Sequence, residues 1–190
     1  MNYNTWQLPW RLQLRAIPAH LRSWLLEHGS LTKRMRQVGT VFLDLLSQEW
    51  TFPMAMETRV LGLSQRQYGL VRSIVMGCDQ RPFLFARTVL PEAIFRGTGR
   101  KLRKLLDHRP IGDILFREPG VQRTGLEICL LDESSPLYQL AGAESDQKLW
   151  ARRSHFVLYG SRLLITEVFF SDNIKISQEK CKDKIGAGSD

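Results

Sequence analysis

Two pairs of extended runs, each closed by a tight turn, limit what this chain can fold into more than any other feature. Residues 68–78 and 82–90 are rich in Val, Ile, Leu and Phe and are separated only by Asp79-Gln80-Arg81, the pattern of a β-hairpin. Residues 153–159 and 162–170 repeat the arrangement around Gly160-Ser161. Strands joined so closely must pair antiparallel, because parallel neighbours need a crossover of a dozen or more residues. Residues 40–50, with Val41, Leu43 and Leu45 in alternation, and residues 125–131 supply further strands. Helical patterning is confined to short stretches. In residues 18–28, Pro18 sits near the start, Leu21, Trp24 and Leu25 form an apolar stripe, and Gly29 is a stop. Ser30 reads as the N-cap of a short turn from Leu31 to Met35. Residues 98–107 read as a helix, and Pro110-Ile111-Gly112 as a turn leading into 113–116. The predicted class is α+β, an antiparallel sheet with helices beside it.

Composition sets the scale. The chain has 190 residues, 43% hydrophobic and 24% charged, enough for one domain with its own core and no need of disulfide or metal staples. No repeat or Pro/Gly-rich linker divides it, so a single domain is expected over residues 1–172, with a polar loop at 132–148 and a polar tail at 173–190. Cys78, Cys129 and Cys181 lack CxxC spacing, and the four histidines lack HxxxH or HExxH spacing, so no metal is expected. Charged residues interrupt every apolar run short of a membrane span, and the N-terminus lacks a secretory pattern, so a cytoplasmic protein is expected. A net charge of +8 and a pI near 9.8 suit an anionic partner: nucleic acid, a membrane surface or a small acidic substrate. A monomer is favoured over an oligomer, without being required.

Period-two counting places Arg72 on one strand face with Leu70, Ile74 and Met76, and Glu167 with Leu163, Ile165 and Phe169. Arg87 shares a face with Phe83, Phe85 and Val89. Charges on core-directed faces need partners. One reading is a structural Arg–Glu pair joining the hairpins. The other is an enclosed cavity that admits a small anion, with arginine as a carboxylate clamp and Glu167 as a hydrogen-bond acceptor. Residues 96–101 only faintly resemble a phosphate loop and lack its spacing. Ser154 and His155, adjacent on a strand, point to opposite faces and cannot form a local dyad.

The same residues carry a family resemblance. Leu31-Thr32-Lys33-Arg34, Arg72 before the Asp79–Pro82 turn, Ala86-Arg87-Thr88-Val89-Leu90-Pro91, Pro110-Ile111-Gly112-Asp113-Ile114-Leu115-Phe116, Arg152-Arg153-Ser154 and the run from Leu163 to Phe169 resemble, in order, the motifs of the chorismate pyruvate-lyases. The resemblance implies cofactor-free conversion of chorismate, a small dianion, to 4-hydroxybenzoate and pyruvate, for quinone head-group synthesis. It places Arg72 at the substrate-carboxylate position and Glu167 at the residue addressing the ligand hydroxyl. Leu31 and Ile111 fall at cavity-lining positions where the family commonly has Met and Leu. The sensory domains of some transcription regulators resemble the same fold, so a non-catalytic anion sensor or nucleic-acid-binding module is the rival. The chain shows no helix-turn-helix or other recognition motif, and no nucleic-acid partner is expected.

Overall fold

The computed structural model describes residues 3–12, 14–96, 110–143 and 146–176. Six strands, β1 (Val41–Thr51), β2 (Gly69–Cys78), β3 (Arg81–Pro91), β4 (Gln122–Leu131), β5 (Leu149–Leu158) and β6 (Ser161–Phe169), form one sheet in the order β1-β2-β3-β6-β5-β4. Every pairing is antiparallel. Both anticipated hairpins are present, each with a two-residue turn. Asp79 and Gln80 take φ of 50° and 66°, Tyr159 and Gly160 take 50° and 73°, the left-handed pair that matches strand twist. The second turn falls one residue earlier than the sequence pattern indicates.

Among the described residues, five short helices lie against the sheet, besides a helical segment at 171–176. On one face lie α1 (Ala19–Leu25), α2 (Leu31–Met35) and α4 (Ile111–Leu115); on the other lie α3 (Ala55–Leu61) and α5 (Pro136–Leu140). Ser30 caps α2 as expected, its Oγ accepting from the Lys33 amide at 3.2 Å. Two of these helices depart from the sequence reading. The 132–148 segment, expected as a polar loop, contains α5, which buries Leu137 and Tyr138 behind a Pro start. The helix α3 was not anticipated; it buries Leu61 against Val71, Val89 and Leu164. A helical segment at 171–176 also continues past the boundary expected at 172, and Ile174 is fully buried. The expected helix at 98–107, Cys181 and residues 177–190 lie outside the described residues.

Two clusters pack on the α1/α2/α4 face. One gathers Leu21, Trp24, Leu25 and Met35 over Met76 and Phe169. The other gathers Ile111, Ile114 and Leu115 over Leu90, Phe156 and Leu163. Between them the face carries Arg72, Arg152 and Glu167.

Bulges decide which side chains join this face. One falls between Met76 and Gly77, where a Cβ on Gly77 would lie 1.8 Å from the Arg81 carbonyl oxygen. Only glycine fits that approach. The bulge turns Phe83 away from Phe85 and Arg87 and sets it edge-on to Trp24, 5.8 Å between centroids. Simple alternation groups Phe83 with Phe85, Arg87 and Val89; the extra residue is why it fails there.

Candidate active site

The middle of the sheet face holds a buried ion pair. Arg152 on β5 stands opposite Glu167 on β6. Its Nε donates to Glu167 Oε2 at 2.5 Å and its Nη2 to Oε1 at 3.3 Å. Nη1 donates to the carbonyls of Trp24 and Glu27, at 3.1 and 2.9 Å, where α1 ends. One guanidinium, 1% exposed, thus closes the C-terminal end of a helix and fixes a carboxylate. That set of partners makes a buried cation tolerable.

A cavity of about 40 Å³ opens beside this pair, lined among others by Leu31, Ile111, Arg123, Ser154 and Glu167. Its roof is α2 and α4. They are tied by Arg36, which donates to Asp113 at 2.5 and 3.2 Å. On its other side α2 is held to α1 by Arg34. That side chain reaches the Ser23 carbonyl and Glu27 Oε2 at 2.9 and 3.0 Å and lies over the Trp24 ring. The Leu31-Thr32-Lys33-Arg34 motif is therefore a fastening as well as a wall.

Three of the four residues singled out from the sequence, Leu31, Ile111 and Glu167, meet in the cavity wall. Arg72 shares their sheet face and is 1% exposed. It stands opposite Thr88, two strands from Glu167 and one pair along from Ile74, which lines the cavity. Glu167's ion-pair partner is Arg152 on the same hairpin, so the expected pair between hairpins is not the one found on this face. Arg87 points to the opposite face and pairs with Glu57 of α3, at 2.8 and 3.2 Å.

Sequence reasoning missed Arg123 as well as the role of Arg152. Alternation places Arg123 with Glu127 and Cys129, which face away from the cavity. A bulge between Arg123 and Gly125 returns it to the cavity face, opposite Phe156. Its guanidinium lies 5.4 Å from the Phe116 ring centroid and 5.0 Å from that of Phe156. Burial, with nearby Arg152, lowers its pKa to about 10, which leaves it charged at neutral pH. Ser154 lines the cavity and His155 lies behind the sheet, hydrogen-bonded to Glu127, as strand alternation required. Burial pushes the Cys78 and Cys129 thiols up to about 11 and 12, so neither is a ready nucleophile. Among the described residues, no group of three His, Cys, Asp or Glu side chains could hold a metal ion. No helix there is long and apolar enough to cross a membrane.

A six-stranded antiparallel sheet with a charged, apolar-walled cavity under two fastened helices defines an α+β domain built around a small-ligand site. The sequence pattern of the family described as chorismate lyase matches residues 1–180. A relative in Aromatoleum aromaticum named "Probable chorismate pyruvate-lyase" is 37% identical over 159 residues, 80% of this chain and 85% of that one. Another of that name in Halorhodospira halophila is 32% identical over 173 residues, 87% of this chain and 91% of that one. The chain belongs to the chorismate lyase family, and it is a lyase. Among solved structures, its fold resembles the effector domain of PhnF from Mycobacterium smegmatis (TM-score 0.57, 19% identity, 77% of this chain and 91% of that one). A GntR-family transcriptional regulator from Bacillus cereus gives 0.52 at 11% identity, over 70% of this chain and 92% of that one. At such identities the likeness concerns the fold alone.

Proposed function

We propose that this protein converts chorismate to 4-hydroxybenzoate and pyruvate without a cofactor. The observation that carries the reading is Glu167, fixed by Arg152 in the wall of a cavity roofed by Leu31 and Ile111, in a chain of this family. Each Glu167 oxygen keeps a lone pair beyond those Arg152 uses, so the carboxylate can accept the substrate's hydroxyl. Arg72 takes the ring carboxylate. From strand spacing and rise, the Arg72 and Glu167 backbones stand roughly 12 Å apart on one face. A ring with para carboxylate and hydroxyl groups that spans these two side chains needs more than the 40 Å³ cavity beside Glu167, so its binding widens the cavity.

The chemistry asks little beyond orientation. The bond from C3 to the ether oxygen breaks, the C4 proton leaves, and the ring becomes aromatic. The departing enolpyruvate carries off the bond's electron pair and gains a proton to become pyruvate, so atoms balance with no water or oxidant. Holding one conformer and offsetting negative charge on the leaving group are the tasks left to the protein. In this account Glu167 orients the hydroxyl rather than removing the C4 proton. The product would serve as a quinone head group. The test is incubation of the purified, chelator-treated protein with chorismate. Equal amounts of 4-hydroxybenzoate and pyruvate support the reading, and intact chorismate refutes it.

A further inference from the structure

Two polar groups in the cavity have no part in the scheme above. Ser154 is 1% exposed, and its Oγ has no hydrogen-bond partner among the described residues. Arg123 gives Nη1 to the Glu27 and His28 carbonyls, both at 3.0 Å. Its buried Nε has no hydrogen-bond partner among the described residues. The two are neighbours: Ser154 is two residues from Phe156 on β5, and Phe156 faces Arg123 across the bulge. Both sit close to Glu167, because Ser154 pairs with Ile165, one step along the same face of β6. A buried hydroxyl and a buried N–H that both lack partners are costly unless something else meets them. Arg123 also feels the charge of Arg152, which Glu167 and Glu27 offset in part, and an anion bound beside Arg123 would offset it further.

We infer that Ser154 and Arg123 form a second anion subsite, which takes a carboxylate borne on the ring position next to the hydroxyl that faces Glu167. This rests on the lyase reading above. Chorismate carries its enolpyruvyl carboxylate at that position and 4-hydroxybenzoate carries nothing there, so the subsite separates substrate from product. It holds the leaving group while the ether bond breaks and is vacated with pyruvate. The buried Phe156 ring against Arg123 keeps water from one side of the ion pair and strengthens it.

A stable probe tests this apart from turnover. 3-(Carboxymethoxy)-4-hydroxybenzoate keeps the hydroxyl and both carboxylates but has no bond the enzyme can eliminate. Calorimetry with it and with 4-hydroxybenzoate is run on wild type, Ser154→Ala and Arg123→Lys. The Ser154→Ala variant removes one oxygen and should fold normally. Affinity for the dianion should fall about fivefold in Ser154→Ala and tenfold or more in Arg123→Lys, which loses the planar two-point contact. Affinity for 4-hydroxybenzoate should stay within about twofold, and KM for chorismate should rise in parallel with the loss for the dianion. Equal losses for both ligands, or no loss for either, overturn the subsite. If wild type leaves chorismate intact while the selective loss for the probe persists, the lyase reading fails and the subsite stands.

Discussion

Arg72 and Arg87 carry the same charge on adjacent strands, yet the sheet sends them to opposite faces. Arg87 is locked to Glu57, with side chains 11% and 3% exposed. Replacing it by Ala strands a buried carboxylate and should cost about 3–5 kcal/mol of stability, with KM for chorismate little changed. Arg72→Ala should do the reverse, sharply reducing kcat/KM while the protein remains folded. A loss within about twofold, roughly 0.4 kcal/mol, would refute the clamp assignment. Glu167→Gln keeps the shape without the charge, so kcat should fall more than KM rises; unchanged turnover with lower thermal stability would make the Arg152–Glu167 pair purely structural. At this scale the sequence was informative where a charge broke an apolar alternation, as at Arg72, Arg87 and Glu167. It was silent on Arg123, whose facing depends on one extra residue in β4, and on the partner of Glu167, because cross-strand register cannot be read from one strand.

The β4–β5 pair and the α2–α4 roof each depend on a small electrostatic device. On the rear face Glu127 accepts from Arg153 at 2.6 Å and is hydrogen-bonded to His155 at 2.7 Å. Although burial opposes ionisation, these two partners hold its pKa at about 2, from an ordinary 4.5. A depressed carboxylate pKa gives stability that is complete above about 4.5 and is lost as pH falls toward 2. Glu127→Gln should therefore melt lower than wild type at pH 7, by about 1–2 kcal/mol for this partly exposed group. Its melting temperature should also fall less steeply than wild type's between pH 4.5 and pH 2. Parallel acid limbs would contradict the assignment. In the roof, the cavity's 40 Å³ holds about three waters, less than a ring with two carboxylates needs. On the proposed function, ligand entry and exit part α2 and α4 and break the Arg36–Asp113 contact. Asp113→Asn should raise the release rate of 4-hydroxybenzoate severalfold and weaken its inhibition, measured by stopped-flow displacement. Unchanged release would assign the pair to surface decoration. The hairpins were legible because tight turns and apolar runs are local signals. The helices α3 and α5 were not, since each is short and is stabilised by what it covers, the Glu57–Arg87 contact and the Leu137–Tyr138 burial, rather than by its own periodicity.

As a whole molecule, the sheet does two jobs with its two faces. The rear face carries α3 and α5 over two apolar clusters, which anchors the strands. The front face leaves a charged gap between two apolar clusters, and α1, α2 and α4 roof it. The basic composition finds an outlet in that gap, where Arg123 and Arg152 stand with the carboxylates of Glu167 and Glu27 and Arg72 lies on the same sheet face. Rapid-quench analysis of chorismate mixed with excess over the enzyme interrogates chemistry and release together. The account predicts a burst of 4-hydroxybenzoate and pyruvate equal to the enzyme concentration, then a slower steady phase set by product escape. Absence of both products would contradict the central claim, and a time course linear from the first turnover would contradict the roofed cavity.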